Sequence, residues 1–331
     1  DAAVTALKVR IVARGLEWSS MGRLVGGGYE LNSTATGMEL TATVGTPVVQ
    51  STTVRSGTYA LQITTLLTTV VKGHRHQFVS AANDGPIFLR VYFRVATLPS
   101  AENCIIQVND TNAFTTPIAY ITIDSAGALL LYDEDGVIGS ASSALSLDTW
   151  YRIEIKFDGT PAAGSDEVRA YLDGTEFAGS ATRSLSSGIQ TFNVGGNLNG
   201  EAQTLGNWYF DDMTVNSSTG SFQNALPGAG ELIHLYPESA GDEAEWDLGT
   251  GTTFAEVDES PTPDDITTYV ATDDTTNDLF SVNITDTPAA LASDDVVNVV
   301  MVGLRYSVSS SAGDDPRVAL RIMSESGGTE E

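Results

Sequence analysis

The carboxylates at Glu256, Asp258 and Glu259 come nearest to a catalytic spacing. Glycosidic cleavage by paired carboxylates needs an acid and a nucleophile on one strand face, about 5–5.5 Å apart, which an E-x-D-x-E alternation supplies. Here the third carboxylate is shifted by one residue and points to the opposite face, so catalysis is not expected. No Ser-His-Asp set and no phosphate-binding loop occurs. His74 and His76 share a strand face and have a spacing that suits a metal. No third ligand accompanies them, and they read as polar surface residues. Asp211 and Asp212 break the alternation of WYFDDMTV. Two adjacent carboxylates cannot both face a core, so a bulge or a hydrogen-bonded inward Asp is implied. Their expected role is to accept bonds from loop N–H groups. Ca2+ at this pair is the one metal weighed, and no other cofactor is expected. The run Asp133, Glu134, Asp135, Gly136 lacks the ordered spacing of a calcium loop and reads as a hairpin turn. Cys104, the single cysteine, lies in CIIQV and reads as a small core hydrophobe.

A second constellation is basic. Arg90 and Arg94, Arg152 and Lys156, and Arg169 fall on the polar sides of three alternating segments, with Tyr92, Trp150 and Tyr171 beside them. On neighbouring strands they would form a cationic, aromatic-bearing face. Aromatic planes with bidentate donors suit sugars and acidic glycans. The competing reading is cross-strand pairing with Glu154 and Asp173, which would knit the sheet together. These eight residues are the candidate glycan- or partner-binding set, the partner being a glycan or the acidic half of another copy.

The positioning elements are strands. In IFLRVYFRV, Ile87, Leu89, Val91, Phe93 and Val95 share one face. In WYRIEIKFDG, Tyr151, Ile153, Ile155 and Phe157 face one way, and Val168, Ala170 and Leu172 repeat the pattern in VRAYLDG. Period-2 alternation means antiparallel strands with one buried and one wet face. The Asp-Gly pairs supply the positive φ of tight hairpins. About a dozen such segments precede residue 217, enough for a two-sheet sandwich. Residues 216–230, NSSTGSFQNALPGAG, read as a flexible Ser/Gly/Pro join. Beyond it LIHLYP, TFAEVDE, TTYVAT, DLFSVNI, VVNVVMVGLRYSV and PRVALRIM read as six further strands.

The order of segments over 150–215, with VRSGTYALQI at 54–63, closely resembles LamG-like, concanavalin A-like jelly rolls. That resemblance implies an all-β fold of two parts. Residues 1–217 form a LamG-like jelly-roll sandwich with an N-terminal lead-in strand. Residues 218–230 are a linker, and 231–331 are a smaller acidic β-sandwich that continues past the last residue. Trp246, Phe254 to Glu259, Asp264, Asp265, Tyr269, Val270, Asp278 and Phe280 carry a further resemblance, to structural proteins of tailed bacteriophages.

Charge narrows the partners. The 331 residues carry a net −27, of which −19 falls after residue 221. Nucleic acid, which binds clustered Lys and Arg, is therefore excluded. No apolar run approaches the roughly 20 residues that span a bilayer. The expectation is a non-enzymatic virion structural protein, in the capsid or tail, at a virion surface or otherwise extracellular. It would assemble with copies of itself or other virion proteins, with glycan adhesion through the jelly roll. The alternatives are an extracellular lectin-like protein of a bacterium or archaeon, and a glycoside hydrolase relative lacking its catalytic motif.

Overall fold

A computed structural model describes residues 8–11, 22–35, 39–65, 71–82, 86–111, 117–159, 164–185, 188–196, 198, 205–245, 248–249, 254–257, 269–271, 280–285 and 320–323. In chain order the strands are β1 (Lys8–Ile11), β2 (Arg23–Gly27), β3 (Ala42–Val44), β4 (Val48–Gln50), β5 (Ala60–Thr65), β6 (Lys72–Ala82), β7 (Ile87–Thr97), β8 (Asn103–Asn109), β9 (Pro117–Ile123), β10 (Leu129–Asp133), β11 (Gly136–Ile138), β12 (Trp150–Asp158), β13 (Asp166–Leu172), β14 (Thr175–Arg183), β15 (Ile189–Gly196), β16 (Gly206–Ser217), β17 (Pro237–Ala244), β18 (Leu248–Gly249), β19 (Val270–Ala271), β20 (Phe280–Ile284) and β21 (Leu320–Met323). The chain forms two compact units, Ser19–Leu232 and Asp1–Trp18 with Ile233–Glu331.

The first unit is an all-β jelly-roll sandwich of two antiparallel sheets. One runs β11-β10-β9-β8-β15-β6-β3; the other runs β14-β13-β12-β7-β16-β5-β4, with β2 also paired to β16. Alternation dictates the core. Leu89, Val91, Phe93 and Val95 on β7 and Ile153, Ile155 and Phe157 on β12 point inward. They meet Ile106, Val108, Ile121, Leu131, Phe192 and Val194 from the opposite sheet. Tyr151 and Leu172 are partly buried against that core rather than fully inside it. Trp208, fully buried, donates its indole N–H to the Gly195 carbonyl at 2.9 Å, a polar tie from β16 to β15 across the sandwich.

The bulge implied by Asp211 and Asp212 is present. The β16–β7 register shifts between Asp211 and Thr214, and Asp212 takes φ 50°. Both carboxylates are buried. The extra residue lets Met213 and Val215 return to the core side.

Two boundary expectations change. Strand β1 pairs with β20 (Lys8 opposite Asn283) and with β21 (Lys8 opposite Met323), so it belongs to the second unit's sheet, ordered β17-β20-β1-β21. Residues 218–232 are not a free linker. Their backbone is bonded onto the outer side of the eight-stranded sheet, as detailed below. The second unit has a small core of Phe280, Val282 and Ile284, with Leu235, Phe254 and Val257 against it. Its strands differ from expectation. LIHLYP gives way to β17, one segment later, and Phe254–Glu256 is a short 3-10 turn rather than a strand. DLFSVNI and PRVALRIM supply β20 and β21. The segment VVNVVMVGLRYSV lies outside the described residues.

Candidate functional site

The sandwich brings the eight residues of the basic set onto one face, the outer side of the eight-stranded sheet. Trp150 lies opposite Arg94, Arg152 opposite Tyr92, and Glu154 opposite Arg90 on β7. On the other side of β12, Glu154 faces Tyr171 and Lys156 faces Arg169. The cations meet partners within the sheet. Arg94 pairs with Asp148 at 2.8 Å, Arg152 with Glu154 at 2.9 Å, and Lys156 with Glu167 at 2.5 Å. Arg169 holds both Glu167 and Glu176. Arg90 is buried, 3% exposed, and donates to the Asp212 carbonyl at 3.1 Å and the Gly228 carbonyl at 3.2 Å.

The strap over this face explains that burial. Gly228 N–H donates to Glu154 Oε1 at 2.7 Å, Leu232 N–H to Asp212 Oδ1 at 2.7 Å, and Asn216 Nδ2 to the Ala225 carbonyl at 2.8 Å. Residues read as a cationic binding surface thus seat a segment of their own chain.

Asp211 and Asp212 gather donors instead of forming a ligand set. Asp211 Oδ2 accepts from Arg55 N–H at 2.9 Å, and Asp212 accepts from Ser56 Oγ at 2.8 Å and pairs with the Arg55 guanidinium. Burial, then the neighbouring Asp212 charge, raises the Asp211 pKa to about 8. Among the described residues no group of three or more His, Cys, Asp or Glu could hold a metal ion. Glu256 sits in the 3-10 turn, and Asp258 and Glu259 lie outside the described residues. Asp133 to Gly136 is a hairpin turn between β10 and β11, with Arg183 on Asp133.

The histidine expectation is corrected. His74 and His76 do share a face, but it is the inner one, with Phe78 of the core. His74 is 0% exposed, its ring 5.7 Å from Tyr29, and His76 stacks on Phe192 at 6.0 Å. Burial lowers both pKa values to about 4, so both rings are neutral near pH 7.

Sequence reasoning missed the outer side of the seven-stranded sheet. Because Ile106, Val108, Phe192 and Val194 face the core, their alternates face outward. The register aligns these alternates in one row across five strands. Tyr132 is opposite Tyr120, Tyr120 opposite Gln107, Gln107 opposite Asn193, and Asn193 opposite Arg75. At about 4.8 Å per strand the row is about 19 Å long. Its middle is a buried amide floor. Asn193 Nδ2 donates to Asn109 Oδ1 at 2.9 Å. Asn193 Oδ1 and Asn109 Nδ2 find no partner. At one end Tyr120 and Tyr132 stack with centroids 4.8 Å apart and planes at 4°, half-buried, and half-buried Arg75 stands at the other.

No protein-family model and no curated protein matches this chain. Solved structures similar in fold include an endo-β-1,4-glucuronan lyase from the fungus Trichoderma reesei, with TM-score 0.44, 16% identity, and coverage of 62% of this chain and 100% of its own. The cellulose-induced protein Cip1 gives TM-score 0.42 at 16% identity, covering 56% and 88%. The alginate lyase Aly36B gives 0.37 at 11%, covering 59% and 98%. The likeness to these carbohydrate-related proteins is one of fold. It supplies no link to phage virion proteins. It does stand against the expectation of a non-enzyme, since two of these structures are lyases.

Proposed function

We propose that the jelly roll binds a carbohydrate chain laid across the outer side of its seven-stranded sheet. The carrying observation is the stacked Tyr120–Tyr132 pair at the end of a continuous row of amides and an arginine. Tyrosine offers an apolar ring face with a polar tip, which suits the face of a sugar ring. The row's length suits a chain rather than a single sugar. The eight-stranded sheet is the weaker candidate because a strap of the chain's own backbone already lies across it. The virion role suggested by the second unit's sequence has no observation in the fold to carry it. An extracellular place accompanies the polysaccharide reading.

Affinity electrophoresis against a panel of neutral and acidic polysaccharides tests the proposal, with reducing-end release showing whether a bound chain is cut. Tyr132→Ala should weaken binding at least tenfold, about 1.4 kcal/mol. Arg169→Ser, on the opposite sheet, should leave it unchanged. Retarded migration that survives Tyr120→Ala and Tyr132→Ala together would move the site elsewhere.

A further inference from the structure

Most arginines of the jelly roll are answered by carboxylates. Arg55, Arg94, Arg152, Arg169 and Arg183 each pair with an Asp or Glu, as a chain with 43 acids against 16 Lys and Arg readily allows. Arg23 on β2 differs. Its partners are two neutral amide oxygens: Nε donates to Asn216 Oδ1 at 2.6 Å and Nη2 to Gln223 Oε1 at 2.9 Å. Among the described residues no carboxylate pairs with it. The charge that acts on it is a like one, since burial and then the neighbouring Arg90 lower its pKa to about 10. Asp212 and Glu154 favour the charge of Arg90, but neither acts on Arg23. A half-buried guanidinium beside a second one, with no counter-charge of its own, is costly unless an anion completes it.

The surroundings fix the direction of this guanidinium. Asn216, buried near the end of β16, is itself held by the Ala225 carbonyl of the strap. Gln223 lies in the strap and takes φ 53°, a left-handed backbone that a non-glycine residue adopts at a cost. Gly22 N–H donates to the Phe222 carbonyl at 2.7 Å, and the Gly22 carbonyl accepts from Ser217 N–H at 2.6 Å. A Cβ at Gly22 would collide with the Gln223 carbonyl, so glycine permits this approach. The two amide bonds use only part of the N–H fork of Arg23, and its half-buried side chain leaves the rest within reach of solvent. We infer that Arg23 is the receptor for a small tetrahedral dianion, sulfate or hydrogenphosphate, held where the strap leaves β16. A fixed guanidinium fork meets two oxygens of such an ion at once. Arg90 is too deeply buried to touch the ion and contributes through its charge, which favours two negative charges over one. The bound ion fastens Arg23, and through Gln223 the first turn of the strap, and so stabilises the fold by mass action.

The experiment titrates inorganic sulfate into the full-length protein while chloride is withdrawn, holding ionic strength at about 0.15 M so that long-range repulsion from the net charge stays screened. Arginine-selective 15N labelling follows each Nε–H, and the Arg23 signal is the one missing from Arg23→Lys. That signal should shift along a saturating curve, while those of Arg152 and Arg169, held by carboxylates, stay in place. By calorimetry Arg23→Gln should weaken sulfate binding at least tenfold, about 1.4 kcal/mol, and acetate should bind the unsubstituted protein more weakly than sulfate. Sulfate should also slow proteolysis within 218–232. An Arg23 signal that stays still, or drifts in proportion with every other arginine, is a salt effect only and overturns the inference. Sulfate binding that survives Arg23→Gln overturns it as well, and acetate binding as tightly as sulfate overturns the choice of a dianion. Calorimetry on the unsubstituted protein needs no variant, so if the Arg23 substitutions fail to fold, the lack of a saturable sulfate isotherm still overturns the site.

Discussion

On the eight-stranded sheet, Glu154, Glu167, Glu176, Asp211 and Asp212 interlock with Arg55, Arg152, Lys156 and Arg169, and a strap of main chain lies across Arg90 and Glu154. On the seven-stranded sheet, the corresponding outer positions carry amides and tyrosines, and two buried amide atoms lack partners. Both faces are polar and both are substantially buried, but one is knit by ion pairs and crossed by a strap while the other carries amides and a stacked tyrosine pair. A buried network of ion pairs specifies a structure. On the carbohydrate-binding reading, that difference separates a structural face from a recognition face.

That comparison breaks most visibly at Asp212. Asp212→Ala removes the acceptor for Arg55, Ser56 Oγ and Leu232 N–H at a fully buried site. Removing one partner of a buried ion pair typically costs about 3–5 kcal/mol. Urea unfolding should show a loss of that order, and limited proteolysis should begin to cut within 218–232. Polysaccharide affinity should be unchanged. A loss under about 1 kcal/mol, the range of ordinary surface substitutions, would mean that the strap and its seat are not coupled.

Asn193→Ala is the matched change on the other face, at nearly the same burial. It deletes the bonds that Asn193 Nδ2 donates to Asn109 Oδ1 at 2.9 Å and to the Gln107 carbonyl at 3.4 Å. The stability loss should be only about 1–3 kcal/mol, the net worth of two hydrogen bonds. Binding should suffer more than folding. If Asn193→Ala unfolds the protein as readily as Asp212→Ala does, the row is structural and the two faces are alike.

Much of the first unit is legible in the sequence, because alternation in IFLRVYFRV and WYRIEIKFDG assigns every second residue to a face. Alternation does not say which face is inner. His74 and His76 share their side with Phe78, so His74 is buried and His76 half-buried, although their polarity argues for solvent. Nor does it reveal register between strands distant in the chain. Arg75, Gln107, Tyr120, Tyr132 and Asn193 each look ordinary in their own segment, and only strand pairing aligns them. The same long-range pairing takes β1 from the jelly roll to a sheet whose other members lie beyond residue 236. The Gly/Pro composition of 218–232 correctly indicates irregular backbone. It misleads on mobility, because irregular backbone can still be fastened by side chains such as Glu154 and Asp212.

The smallest effect should come from pH, because the sandwich buries titratable groups of opposite kinds. Asp211 on β16 has its pKa raised from 3.8 to about 8, and Glu39, bonded to the Tyr29 and Leu31 N–H groups, from 4.5 to about 7, in both cases chiefly by burial. His74 and His76 on β6 are lowered from 6.5 to about 4, also by burial. A carboxyl raised in the folded state gives stability that is whole below its unfolded value and is lost as pH rises through its folded value. A histidine lowered in the folded state gives stability that is whole above its unfolded value and is lost as pH falls through its folded value. Between pH 4.5 and 6.5 the two pairs therefore oppose each other, and stability should be nearly flat. Above 6.5 the histidines contribute no further change. The carboxyls continue to lose stability until pH 8, so melting temperature should fall across that interval. Asp211→Asn removes the group that titrates last and should shorten the decline at its alkaline end, where the histidine pair should have no influence. A melting temperature that rises from pH 6.5 to 8 in the unsubstituted protein would show that Asp211 and Glu39 are ionised in the fold, and that the Asp211 bulge is held by charge rather than by a shared proton.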